Sequence, residues 1–84
     1  MMTMNERLKL IEDYITYCEN ESIRAEMSVN STNYHFNPRE VMDNAIQRML
    51  GVGEFVQSMG LSYGDVEEIF EEYKEKIETV CGFR

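Results

Sequence analysis

The chain reads as all-α: a small three-helix bundle forming a single domain over residues 1–84. Three observations predict this. Apolar residues recur at three- and four-residue spacing over most of the chain, a capping signal opens each periodic segment, and turn-forming residues gather only between the segments. At 84 residues there is room for one core. The helices are expected at about residues 4–27, 38–59 and 63–81, with the second and third forming an antiparallel hairpin.

In the first segment Thr3 and Glu6 have the spacing of a capping box, with Asn5 a competing cap, and Met4 is a second candidate start beside Met1. Met4, Leu8, Ile11, Ile15 and Cys18 alternate by four and three and are expected on one buried face, widened by Leu10, Tyr14 and Tyr17. Asn20-Glu21-Ser22 is a point where this helix is expected to end or kink. The linker over residues 28–37 is rich in Asn and Ser, which favour turns, and Tyr34 and Phe36 are expected to pack beneath it.

The central segment carries the clearest boundaries. Asn37 is the expected N-cap and Pro38 suits the first helical position. Glu40 is placed to complete a capping-box-like pair, and Phe36 with Val41 has staple spacing. Two adjacent rows follow, Val41-Ala45-Met49-Val52-Val56-Met59 and Met42-Ile46-Leu50-Gly53, the pattern of a helix buried against more than one neighbour. Gly60 is the expected left-handed residue that ends it. Gly51 and Gly53 lie inside the helix, where each costs about 1 kcal/mol relative to Ala. Close approach of another helix or of a second copy of the chain would compensate, which makes Gly51, Gly53, Met49 and Val56 the expected self-association set of a homo-oligomer.

The third segment opens on Ser62 with Asp65 three residues on, and Leu61 and Val66 form its staple. Val66, Ile69, Phe70, Tyr73, Ile77, Val80 and Cys81 are its expected buried positions, and Gly82 closes it.

Sixteen acidic residues against eight basic ones give a net charge of −8, which disfavours direct binding to nucleic acid or an anionic membrane. The acid is concentrated between residues 65 and 78, where seven carboxylates stand against Lys74 and Lys76. Glu67/Glu71, Glu68/Glu72 and Glu71/Glu75 are like-charged at i, i+4, while Glu72 and Lys76 are an expected favourable pair. Glu67, Glu68, Glu71, Glu72 and Glu75 are therefore the candidate partner-binding residues, presenting a phosphate-like field to a basic groove. A solvated outer face is the plainer account of the same charge. Arg39, Arg48 and His35, with Arg24, form a smaller cationic set suited to a phosphate-bearing nucleotide near the start of the central helix.

No catalytic motif appears. His35 is the only histidine and has no zinc-like spacing to Cys18 or Cys81, and Glu-x-x-His pairs for a di-metal carboxylate site are absent. Gly51-Val52-Gly53 has no preceding strand, so a dinucleotide loop is excluded. A helix-turn-helix would carry its excess acid on the recognition helix. The chain is expected to be non-enzymatic, to need no cofactor or metal, and to lie in the cytoplasm with both cysteines buried and reduced.

Residues 45–78, with Ile46-Gln47-Arg48, Leu50-Gly51-Val52 before Phe55, the Gly60 turn and the acidic helix, resemble small helical proteins of phages and prophages of Gram-positive bacteria. That resemblance implies a mobile-element accessory protein, a group that includes inhibitors of host defence, and it transfers no functional residue. The expected function is binding and inhibition of a host protein through its basic nucleic-acid-binding groove. Two other expectations stand beside it: an oligomeric sponge for a nucleotide immune signal, and a structural or dimerisation module.

Overall fold

The computed structural model describes residues 2–31 and 37–84; the expected Phe36–Val41 staple, Tyr34 and His35 involve positions outside them. It consists of α1 (Met4–Val29), α2 (Pro38–Ser58) and α3 (Tyr63–Val80), each packed against the other two in a rod of 48 × 17 × 17 Å.

Local chemistry sets the helix ends. Thr3 Oγ1 accepts from the Glu6 N–H at 3.1 Å, and Glu6 Oε1 accepts from the Thr3 N–H at 3.0 Å, so Thr3 prevails over Asn5 as the cap of α1. The Asn37 side chain accepts from the Arg39 N–H at 2.9 Å. Glu40 does not complete the expected reciprocal bond and instead adds acid to the first turn. Ser62 Oγ accepts from the Asp65 N–H at 3.2 Å, and the Leu61–Val66 staple is buried. The C-termini of α2 and α3 close as Schellman motifs. After α2, Gly60 N–H donates to Gln57 and Leu61 N–H to Val56; after α3, Gly82 N–H donates to Thr79 and Phe83 N–H to Glu78. Gly60 (φ +117°) and Gly82 (φ +86°) take the left-handed conformation these motifs require.

The core is assembled around Tyr14, Cys18, Met49 and Ile77, which are essentially inaccessible to solvent. Both expected rows of α2 contribute to it, through Met42, Ala45, Met49, Gly53 and Val56. In α3 every expected position is buried except Val80, which is half-buried. The first helix differs from expectation in two ways. It runs unbroken through Asn20-Glu21-Ser22, and its buried seam is Tyr14, Cys18, Glu21 and Ala25. Met4 and Leu8, expected inside, are 62% and 53% exposed. A helix lying against two others buries its middle row most deeply, and here a glutamate occupies that row. The apolar rows on either side, Leu10/Tyr17 and Ile11/Ile15, are only half-buried.

Cys18 and Cys81 are unpaired and buried, and desolvation raises both thiols, Cys18 to about 11, which leaves them unreactive. Among the described residues no helix is long and apolar enough to cross a membrane.

Candidate functional site

The outer surface of α3 follows from its periodicity. With Val66, Ile69, Phe70, Tyr73 and Ile77 buried, the intervening Glu67, Glu68, Glu71, Glu72 and Glu75 are all exposed. The structure divides them between two grooves. Glu67 and Glu71 edge a cavity of about 210 Å³ between α2 and α3, floored by Tyr14, Gly53, Val66 and Phe70. The Glu67 carboxylate beside the Tyr63 hydroxyl raises that phenol above its ordinary range. On the other flank, Glu68 and Glu72 rim a depression of about 460 Å³ over Ile11, Ile15 and Ile69. Glu72 and Glu75 rim its neighbour, of about 500 Å³, with Glu26 of α1.

Little positive charge offsets this face. Arg7 binds Asp65 through Nη2 at 2.9 Å, and its hydrogen bonds hold that carboxyl below the ordinary range. Arg84 reaches Glu78 at 2.8 Å and Glu75 at 3.8 Å. Lys76, expected to pair with Glu72, sits instead 4.6 Å from the centre of the Tyr73 ring. Among the described residues no lysine or arginine comes within ion-pair distance of Glu67, Glu68, Glu71 or Glu72.

Of the cationic set, Arg24 and Arg48 meet at Glu21, while Arg39 lies apart from them. Arg39 pairs with Asp43 at 3.5 Å and stacks over Phe83 at 5.8 Å. Arg48 lies nine residues further along α2, roughly 14 Å away and half a turn round the helix. There it donates Nε to both oxygens of Glu21 at 3.0 and 3.1 Å, with Nη2 at 2.9 Å. Arg24 adds a longer contact to the same carboxylate at 3.6 Å. His35, the third residue expected at the nucleotide site, falls outside the described residues.

The self-association set is also redistributed. Met49, Gly53 and Val56 are buried inside the protomer, where they cannot form an external contact. A Cβ at Gly53 would lie 2.9 Å from Tyr14 Oη and 3.0 Å from Val66 Cγ1. The close approach expected there is thus made by helices of the same chain, and Tyr14 uses it to donate to the Met49 carbonyl at 2.9 Å. Gly51 is exposed, with nothing within 4 Å of its Cβ position.

Sequence reasoning missed Glu21, the buried charged residue at 3% exposure. The signal was present in its spacing: it falls three residues after Cys18 and four before Ala25, on the seam itself. Among the described residues no group of three or more His, Cys, Asp or Glu side chains is arranged to hold a metal ion. The chain matches no protein-family model, no curated protein and no solved structure.

Proposed function

We propose that the protein is a non-enzymatic binding module whose acidic α3 face docks on the basic surface of a partner protein. The observation that carries this reading is the run of Glu67, Glu68, Glu71 and Glu72, exposed and with no lysine or arginine within ion-pair distance among the described residues. Three like-charged i, i+4 pairs on one helix cost stability, about 0.2–0.5 kcal/mol each, and a basic partner relieves that cost on binding. Grooves on both flanks give a docking partner apolar floor as well as charge. In the mobile-element setting implied by the resemblance of residues 45–78, the partner is a host defence protein and the face occupies its nucleic-acid-binding groove.

The test replaces Glu67, Glu68, Glu71, Glu72 and Glu75 together by Gln. The expected result is a protein that is as helical as the wild type, more stable by about 1 kcal/mol through relief of repulsion, and unable to retain the basic protein that wild type captures from host extract. Retention of the same protein by both forms would refute the reading.

A further inference from the structure

The face made by α1 and α2 has a different character from the acidic one. Leu10, Tyr17, Val52, Phe55 and Met59 line a groove of about 330 Å³ there, with Phe55 61% and Met59 53% exposed. Its charge is balanced: Lys9 pairs with Asp13 at 3.5 Å, and Arg24 and Arg48 both pair with Glu21. A chain of net charge −8 repels its own copy over most of its surface, and most strongly across α3. This face is where two copies meet without that penalty, and an apolar patch rimmed by both signs suits a self-complementary contact.

Gly51 supplies an independent observation. It lies on the Phe55 row, one turn earlier. Unlike Gly53, it has no close neighbour within the protomer that explains the absence of a side chain. A second backbone or ring seated on this row would explain it. A standard interface takes ~800 Å² from each partner, so in a rod 48 Å long and 17 Å wide the contact must run along the α1–α2 face rather than stop at the groove.

We propose that the α1–α2 face, centred on Gly51 and Phe55, is covered by a second copy of this chain in an isologous dimer. Phe55 of each protomer inserts against the groove of Leu10, Tyr17, Val52 and Met59 on the other. The surface is separate from the acidic face, so a dimer displays two such faces outward.

Light scattering from micromolar to millimolar protein tests this with three variants. Wild type is expected at twice the 9.9 kDa chain mass. Phe55→Glu is expected at the single-chain mass with unchanged helicity. Leu8→Glu makes the same charge change at an exposed apolar position on the α3 side of α1 and is expected to remain dimeric. Gly51→Ala is expected to weaken the dimer about tenfold by crowding the contact while raising the melting temperature of the monomer. A wild type at single-chain mass throughout would overturn the proposal. So would a Phe55→Glu or Gly51→Ala protein that dimerises as tightly as wild type, or dissociation by Leu8→Glu equal to that by Phe55→Glu.

Discussion

Two glycines, two residues apart in the same helix, should respond oppositely to the same substitution. An exposed helical Gly→Ala change gains about 1 kcal/mol from backbone propensity. Gly51→Ala should realise that gain, because its new methyl meets nothing within 4 Å. Gly53→Ala gains the same propensity and then meets Tyr14 Oη at 2.9 Å and Val66 Cγ1 at 3.0 Å. The Tyr14 hydroxyl is the far end of a side chain, but that side chain is 1% exposed and anchored to the Met49 carbonyl, so moving it breaks the bond. Overpacking costs about 1–3 kcal/mol, and a buried hydroxyl that loses its partner costs about 1–3 kcal/mol more. A net loss of about 3 kcal/mol at Gly53 against a gain of about 1 at Gly51 separates the variants by about 4 kcal/mol. For a domain of this size that is a difference in melting temperature of roughly 16–32 °C. Thermal and urea unfolding followed by circular dichroism would measure it, in a Phe55→Glu background so that self-association does not contribute. Equal stabilisation by the two substitutions would refute the packing account of Gly53.

Further predictions follow from the polar contacts between helices. Tyr14→Phe should destabilise by about 1 kcal/mol, the worth of a net hydrogen bond, and should make Gly53→Ala less harmful in a double-mutant cycle of urea midpoints. Glu21→Ala should cost about 2 kcal/mol, less than a fully buried pair because Arg48 is 43% exposed and regains water; Glu21→Ala with Arg48→Ala should lose little more. Asp65 has a folded-state pKa held below its ordinary value by Arg7, so its contribution is present above the ordinary carboxylate pKa and is lost as pH falls through the depressed one. The gap in melting temperature between wild type and Asp65→Asn should therefore be largest at neutral pH and close as the solution is acidified below the carboxylate range.

What was legible in the sequence was local. Thr3, Ser62, Gly60 and Gly82 act on backbone groups within a few residues, so the ends they set can be read without tertiary information. The core of α3 was legible because its apolar positions form an uninterrupted stripe. The seam of α1 was legible only as far as Tyr14 and Cys18, because Glu21 interrupts it and the flanking isoleucines and leucines offer a more apolar row. Its charge is accommodated by an arginine 27 residues away, a pairing that only the packing of α1 on α2 creates. Gly51 and Gly53 look equivalent in sequence, and only the position of Tyr14 tells them apart. The acidic residues of α3 were legible as an exposed set, whereas their division between two grooves depends on where α1 and α2 lie. Arg39 and Arg48 are nine residues apart and so lie on opposite sides of α2, while Arg24 and Arg48 meet at Glu21 through the packing of α1 on α2.

An α3 face that stands in for a phosphate backbone should compete with nucleic acid for a basic partner. Competition measures this most directly: the captured partner, held on immobilised protein, is challenged with duplex DNA at rising concentration and fixed low salt. DNA is expected to elute the partner in a dose-dependent way, because both ligands occupy one basic surface. A partner that stays bound at saturating DNA, with DNA bound alongside it, would show that the two surfaces are distinct.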